Sequence, residues 1–396
     1  MSVSRRSFVK AASVGGIGAL TAPLIAARGS EALREAWMPS VEPLASPAPF
    51  ASEERAALRL LAPDAIRLDS NENPNGPGSA ALEAVRAMFT EAPRYPGSTT
   101  ASVYHTISSQ LKVGEDHLLV GCGSGEILRM ASYAFTSPQR ALVTGAPSFE
   151  DPVRHSQMMN APIRAVPLDS ELRLDLNRML DEVRGAGLVF LCNPNNPTGT
   201  VHGAAAVKSF VADVNRRAPD CIVMVDEAYH EYVDDSAYAT AIPLALENPT
   251  VVVVRTFSKV YGMAGLRAGY AIAQPETIAR MALHRLPNAI NVLAAAAAVA
   301  TLPDAAHLER EQKLNREARE FTRLAFERMG FKAAPSNANF LMVPIGRDSR
   351  EFRAACAKHD VLVGRPFPPL TTHARISIGT LDEMKRAVDV FAQVLR

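Results

Sequence analysis

Five short runs of apolar residues recur between about residues 118 and 270, and they constrain the fold more than any other feature of the chain. They occupy residues 118–120, 141–143, 188–191, 222–225 and 251–254. Runs that are apolar throughout, rather than alternating with polar residues, are typical of strands covered on both faces. Longer segments of helical character separate several of them. The pattern predicts an α/β domain with a mostly parallel sheet between helices, while the direction of a further strand at residues 268–272 stays open.

The sequence changes character beyond about Pro303. A long charged helix is predicted over residues 308–329, followed by strands near 340–343 and 375–378. This order favours a smaller α+β domain, and the segment near Ile66 is expected to pack onto it. We therefore predict a large domain over residues 80–295 and a small domain built from residues 51–79 together with 296–396.

The N-terminus carries a targeting pattern. Arg5 and Arg6 precede an uncharged stretch over residues 11–27 that is rich in Ala, Gly and Leu, which resembles a twin-arginine secretion signal. The stretch is shorter than the roughly 20 apolar residues of a membrane-spanning helix. We predict a signal peptide over residues 1–29, a Pro- and Ala-rich linker over 30–50, a periplasmic location and no stable membrane span in the mature form. A basic start to a cytosolic enzyme is the alternative.

Composition excludes several classes of function. The formal net charge is +1 and the sequence pI about 7.8, so no broad positive field attracts nucleic acid or an anionic membrane. The four cysteines and nine histidines are scattered, without the close spacing that metal ligands on one element require. We expect neither a metal site nor a nucleic-acid partner.

Two charged side chains follow predicted strands directly. Asp226 comes after the run at 222–225, at the end of the strand where an α/β sheet binds its ligands. A carboxylate there could pair with a pyridinium nitrogen, although an Asp after a strand is often a helix cap. Lys259 follows the run at 251–254 and has hydroxyl residues and Arg267 nearby. Its amine could form an imine with an aldehyde cofactor.

Two loops also follow strands. Residues 121–126 contain three glycines before a helix predicted to begin near Glu126, and such a loop either closes around an anion or is an ordinary turn. Residues 193–199 combine prolines with asparagines. The amides could hold a phenolic oxygen or a carboxylate, or the segment could be only a turn.

The order of these motifs resembles one known family. From Asp69 to the C-terminus the chain is similar to fold-type I pyridoxal-phosphate aminotransferases of class I/II, most closely the histidinol-phosphate aminotransferase-like group. The matching motifs are Asp-Ser-Asn-Glu-Asn-Pro at 69–74, Arg-Tyr-Pro at 94–96, and the segments 193–199, 226–229, 255–259, 265–270 and 375–380.

The resemblance implies pyridoxal 5'-phosphate as cofactor and assigns roles by motif. Lys259 would be the Schiff-base lysine and proton carrier, with Asp226 on the pyridine nitrogen and Tyr229 on the phenolic oxygen as further catalytic residues. The remaining residues expected to bind the cofactor are Ser124, Gly125, Phe149, Asn196, Thr256, Ser258, Arg267 and Tyr95. Tyr95 would reach the phosphate of a neighbouring subunit, which implies a homodimer.

The substrate residues implied by the resemblance are Arg375, Arg365, Asn75 and Asn196. Arg375 would grip the acidic end of the substrate, unless it forms a surface ion pair. Asn75 stands where the family has a pocket tyrosine, and Arg365 is displaced by one residue from the arginine usual in histidinol-phosphate enzymes. Both departures weaken histidinol phosphate as the specific donor.

The function implied is transfer of an amino group from an amino acid or amine donor, with histidinol phosphate among the candidates, to a 2-oxo acid by a ping-pong mechanism. Two alternatives stay open. One is a decarboxylase or lyase on the same scaffold, because the cofactor supplies the electron sink and the pocket chooses which bond breaks. The other is a secreted binding protein without catalysis.

Overall fold

A seven-stranded sheet forms the centre of the larger domain in the computed structural model, which describes residues 65–396. The strands of the chain are β1 (Ile66–Leu68), β2 (Leu118–Gly121), β3 (Ala141–Ala146), β4 (Ile163–Pro167), β5 (Ala186–Cys192), β6 (Ile222–Asp226), β7 (Val251–Thr256), β8 (Gly269–Ile272), β9 (Phe340–Pro344), β10 (Val361–Val363) and β11 (His373–Ser377). The order in the large sheet is β2-β8-β7-β6-β5-β3-β4. The predicted α/β class with a mostly parallel sheet is confirmed, and β8 is the antiparallel strand, paired with β2 and β7.

Helices cover both faces of this sheet. The α-helices of residues 65–396 are α1 (Ser79–Ala87), α2 (Gly97–Leu111), α3 (Gly123–Phe135), α4 (Asp151–Met158), α5 (Leu176–Asp181), α6 (Ala204–Arg217), α7 (Ile242–Glu247), α8 (Pro275–Ala282), α9 (Val292–Thr301), α10 (Ala305–Arg328), α11 (Ser349–Ala357) and α12 (Leu381–Val394), of which the last three belong to the small domain. Successive residues of β6 enter opposite cores: Val223 packs with α6 and α9, and Met224 packs with α3 and α8. Because side chains alternate along a strand, only a continuous apolar run supplies both cores.

The small domain holds two pairs of strands. β1 pairs in parallel with β10, and β9 pairs antiparallel with β11. Helices α10, α11 and α12 contribute to the third hydrophobic core. The long helix begins at Ala305, slightly before the predicted residue 308, because the Asp304 carboxylate accepts the His307 N–H and caps it.

Helix α9 crosses the predicted domain boundary at residues 295 and 296 and packs on α1 and α2. Within residues 65–396 no single helix is long and apolar enough to cross a membrane. Helices α9 and α10 are long and apolar enough only when they are counted together, and the chain bends by 87° between them. The predicted signal peptide, the linker and the start of the small domain at residues 51–64 lie outside the described residues.

Candidate active site

The carboxyl ends of three neighbouring parallel strands meet at one edge of the large sheet. β5 ends at Cys192, β6 at Asp226 and β7 at Thr256, while β8 begins at Gly269 opposite Thr256. Lys259 and Arg267, which lie between β7 and β8, therefore reach the same edge as Asp226. Asp226, Lys259 and Arg267 line a cavity of about 620 Å³ to which both domains contribute. The position agrees with the general rule for ligand sites in open α/β sheets.

Lys259 is partly buried in this cavity. Its Nζ donates to the backbone oxygen of Asn71 at 3.0 Å and lies 5.6 Å from the centre of the Tyr229 ring. Desolvation and, next, the positive charge of Arg375 lower the pKa of Lys259 to about 8. A substantial fraction of the amine is therefore unprotonated slightly above neutral pH and can act as a nucleophile or base.

Asp226 is only 3% exposed. Its Oδ1 accepts the Ala228 N–H at 3.1 Å within a turn, so it does not cap an α-helix. Burial raises the pKa of Asp226 to about 7, although the Ala228 N–H and Lys259 act in the opposite direction. Behind it, Glu227 accepts hydrogen bonds from Nε and Nη2 of Arg255 at 2.9 and 2.8 Å, which anchors the strand ends. A cationic ring nitrogen placed beside Asp226 would stabilise its ionised form.

The Tyr229 hydroxyl accepts a hydrogen bond from Nδ2 of Asn71 at 3.1 Å. Burial raises the pKa of Tyr229, so its phenol stays protonated at neutral pH. Asn71 is itself held by the Ser377 hydroxyl, which contacts its backbone N–H at 2.9 Å and its Oδ1 at 2.8 Å. In the sequence Asn71 is part of the motif at 69–74, but the motif alone gives this residue no role. Only the folded structure shows that Asn71 contacts both Tyr229 and Lys259.

One end of the cavity is built to hold an anion. Helix α3 begins at Gly123, earlier than the predicted start near Glu126, and the Glu126 carboxylate caps it by accepting the Cys122 N–H at 2.7 Å. Gly123 adopts a φ of +75°, which favours glycine at this turn into the helix. A Cβ on Gly123 would collide with the Arg267 guanidinium. Arg267 also donates to the Ser258 hydroxyl at 3.3 Å.

Ser124, Gly125, Thr256, Ser258 and Arg267 all line this end of the cavity. Hydroxyls, a guanidinium and a helix N-terminus suit a dianionic phosphate. Lys259 and Asp226 lie in the same cavity at positions that suit an aldehyde and a pyridine nitrogen. The side chains present therefore fit pyridoxal phosphate.

Arg375 is 7% exposed and does not form a surface ion pair. Its Nη1 donates to Oδ1 of Asn196 at 2.8 Å and its Nη2 to the Asp69 backbone oxygen at 2.7 Å. Its Nε has no hydrogen-bond partner within the described residues. Burial lowers the pKa of Arg375 to about 10, which still leaves it protonated at neutral pH. A buried cation with an unused N–H is suited to bind a carboxylate.

Of the other predicted site residues, some line the cavity and others lie outside it. Phe149 and Arg365 line the cavity, and Arg365 pairs with Glu150 at 2.6 Å. Asn75 does not line it, because its Nδ2 donates to Glu311 Oε2 at 2.7 Å beside a separate cavity of about 110 Å³. Tyr95 lies outside the cavity and is 86% exposed.

Several cavity residues were missed by sequence reasoning. They are Glu150, Asp151, Arg154, Arg353 and Phe367. Glu150 and Asp151 directly follow the predicted Phe149, so their proximity was the available signal. Arg353 belongs to α11 of the small domain and could not be placed here without the docking of the two domains.

Comparison with known proteins defines the family. The sequence profile described as aminotransferase class I and II matches residues 63–391. The chain belongs to this family. A histidinol-phosphate aminotransferase of Symbiobacterium thermophilum is 37% identical over 335 residues, which cover 84% of this chain and 91% of that protein. An aromatic amino acid aminotransferase of Nocardia farcinica is 36% identical over 323 residues, covering 80% and 88%.

A solved structure agrees with these relatives. The crystal structure of histidinol-phosphate aminotransferase from Sinorhizobium meliloti, in complex with pyridoxal-5'-phosphate, has a TM-score of 0.79 at 25% identity and covers 86% of this chain and 94% of that one. The predicted fold type, the aminotransferase class and the pyridoxal phosphate cofactor are confirmed, and the decarboxylase, lyase and binding-protein alternatives are not favoured. The two sequence relatives are named for different substrates, and their sequence identities to this chain are nearly equal. Sequence similarity alone therefore does not identify the amino donor.

Proposed function

We propose that the protein transfers an amino group reversibly between an amino donor with an acidic end and a 2-oxo acid, by a ping-pong mechanism. The observation that carries this proposal is the convergence of Lys259, Asp226 and Arg375 on one cavity. Pyridoxal phosphate would be held by Lys259 and Asp226, by Tyr229 with Asn196 at its phenolic oxygen, by Phe149 at its ring, and by the anion-binding end at its phosphate. When bound, it supplies an electron sink for the bonds at the substrate Cα.

Proton transfer falls to Lys259. Its amine, with a pKa lowered to about 8, is suited to take a proton from the substrate Cα and to return it in the reverse half-reaction. Contact with the Asn71 carbonyl at 3.0 Å positions the amine when it is not engaged elsewhere. Asp226, buried beside it, holds a negative charge where a ring nitrogen must stay protonated.

Arg375 orients the donor. Each Nη of arginine carries two N–H groups, and the bonds to Asn196 and to the Asp69 carbonyl use one on each. The Nε–H and one remaining Nη–H can donate two parallel hydrogen bonds to a carboxylate. The Asn196 and Asp69 contacts hold the guanidinium in place before substrate arrives, which reduces the ordering needed on binding.

The reaction class can be tested with purified holoenzyme and one amino acid at a time. Transamination converts the bound cofactor to pyridoxamine phosphate and releases a 2-oxo acid, both detectable by mass spectrometry. Release of CO₂ and an amine, with the cofactor unchanged, would contradict the proposal. Screening pairs of amino acids and oxo acids, histidinol phosphate included, would then identify the donor.

We further propose export of the folded enzyme to the periplasm by the twin-arginine route, on the basis of Arg5 and Arg6 before the uncharged stretch at 11–27. Fractionation of cells that express the full chain tests this, with a cytoplasmic marker enzyme as control. Recovery of the protein with that marker would contradict it.

We also propose a homodimer. The family resemblance makes Tyr95, which is 86% exposed, a contact to the cofactor phosphate of a second subunit. Light scattering coupled to gel filtration measures the mass, and a monomer at micromolar concentration would refute the proposal. Tyr95→Phe should weaken retention of the cofactor without changing the mass.

A further inference from the structure

Three charged side chains form a cluster at the partly exposed side of the active-site cavity. Glu150 Oε1 lies 2.6 Å from Nη2 of Arg365, and Oε2 lies 3.2 Å from Nη2 of Arg154. The Glu150 side chain is 12% exposed, whereas the two arginine side chains are 45% and 56% exposed. Both oxygens of a mostly buried carboxylate are thus already paired, one of them with a residue of the small domain.

Arg365 is held by two further contacts. Its Nη1 donates to the Pro366 backbone oxygen at 2.9 Å, and its guanidinium lies 4.3 Å from the centre of the Phe367 ring. A substrate anion that recruits Arg365 either takes its remaining N–H groups beside the paired Glu150 carboxylate or displaces Glu150. Displacement leaves a mostly buried carboxylate without one of its two partners, which is unfavourable. If Glu150 stays in place, its charge repels the incoming anion.

The same part of the cavity offers an apolar surface. Phe367 lines it, and the Arg375 guanidinium lies 4.6 Å from the centre of the Phe367 ring. A donor whose acidic end is bound by Arg375 would therefore bring its side chain close to Phe367. A flat neutral side chain can contact the Phe367 ring and leave the Glu150 ion pairs intact.

We propose that Glu150 determines the side-chain specificity of the enzyme. By keeping Arg365 and Arg154 paired, it favours donors with neutral aromatic side chains over donors whose side chain ends in a carboxylate or phosphate. The inference rests on the proposed function and names its substrate class. Arg353 also lines the cavity and has no ion pair within residues 65–396, but its side chain is exposed, so solvent and salt screen its charge.

The test compares two donors that differ in one anionic group. Holoenzyme and a single 2-oxo acid are assayed with L-phenylalanine and with 4-carboxyphenylalanine, and the ratio of their kcat/KM values is measured. The ratio in the wild type should favour phenylalanine by about tenfold or more, the order expected for unfavourable charge contacts at a binding surface. Glu150→Gln frees Arg365 and should reduce the ratio by about tenfold.

Two further variants test the same proposal, one with the opposite expected change and one as a control. Arg365→Gln should raise the ratio, because Glu150 then faces the substrate without that partner, and this variant tests the proposal even if Glu150→Gln does not fold. The matched control is Glu320→Gln, which removes an ion pair to Arg323 of 2.7 Å on helix α10, outside the residues that line the cavity. The control should leave the ratio unchanged.

Binding without turnover supplies an independent readout. Calorimetry measures the dissociation constants of 3-phenylpropionate and its 4-carboxy derivative for the same holoenzyme variants, and their ratio should follow the kinetic ratio. An unchanged ratio in Glu150→Gln, or an equal change in Glu320→Gln, would overturn the assignment of Glu150. Absence of transamination with every donor would contradict the proposed function instead, while the binding ratios would still test Glu150.

Discussion

Replacing Asp226 by Asn should stabilise the cofactor-free protein, because the native site holds a buried carboxylate that is costly to ionise. Burial raises the pKa of Asp226 from its usual value of 3.8 to about 7. At 1.36 kcal/mol per pKa unit, ionising this group costs the folded state about 4 kcal/mol more than the unfolded state. Asn keeps the oxygen that accepts the Ala228 N–H and removes the charge.

The sign of the pH dependence follows from the raised pKa. Well below pH 3.8 the carboxyl is protonated in both states, and the two proteins should differ little. As the pH rises towards 7, the unfolded wild type ionises first, so the wild type loses stability relative to Asp226→Asn. Above about pH 7 the advantage of the variant should level off at about 2 to 4 kcal/mol, the lower figure allowing for relaxation and entry of water.

Urea denaturation followed by circular dichroism, at one protein concentration and at several pH values, measures this difference. Asp235→Asn is the matched control, because Asp235 Oδ1 accepts the Ala237 N–H in the same local geometry at an exposed position. It should change the free energy of unfolding by less than about 0.5 kcal/mol at every pH. An Asp226→Asn advantage that does not vary with pH, or that is absent at pH 8, would refute the argument. The holoenzyme should show the opposite order, since Asn cannot balance a protonated ring nitrogen.

Three other outcomes are expected. Borohydride should trap the cofactor on Lys259, and Lys259→Ala should abolish turnover yet retain weaker cofactor binding; a peptide map with the label on another lysine would refute the assignment. Arg375→Lys should lower kcat/KM for donors with an acidic end by about 2 to 4 kcal/mol of transition-state stabilisation, because a point charge cannot donate two parallel hydrogen bonds. Steady-state kinetics measure the change in kcat/KM, and a loss under tenfold would count against bidentate binding of the donor carboxylate. Replacing Arg5 and Arg6 by lysines should keep the protein in the cytoplasm on fractionation, and unchanged export would remove the basis for a twin-arginine signal.

The sequence was sufficient to predict the central sheet and the residues that follow its strands. Runs such as 222–225 are apolar throughout, and a strand with this pattern is stable only between two layers. Asp226 and Lys259, 33 positions apart, were each predicted to follow a strand, and parallel strands end at the same edge of a sheet. The family motifs added the cofactor and the residues expected to bind it, because each motif is local and keeps its order along the chain.

The contacts that set substrate recognition depended on how distant segments pack. Asn75 was expected in the substrate pocket, yet it bonds to Glu311, more than two hundred positions away. Arg365 was expected to face substrate, yet it pairs with Glu150 of the other domain. Neither partner is encoded by local spacing. The first contact joins the two distant segments of the small domain, and the second depends on the docking of the small domain on the large one.

Sequence by itself therefore determined the layers of the large domain, the family and the residues at the strand ends, since these follow from local periodicity and from motifs of fixed spacing. Tertiary structure decided the antiparallel direction of β8, the link from Asn71 to both Tyr229 and Lys259, and the pairing of Glu150. It also decided that the pKa of Asp226 rises and that of Lys259 falls. The physical reason is that burial and charge proximity depend on distances in space, which only the packed chain sets.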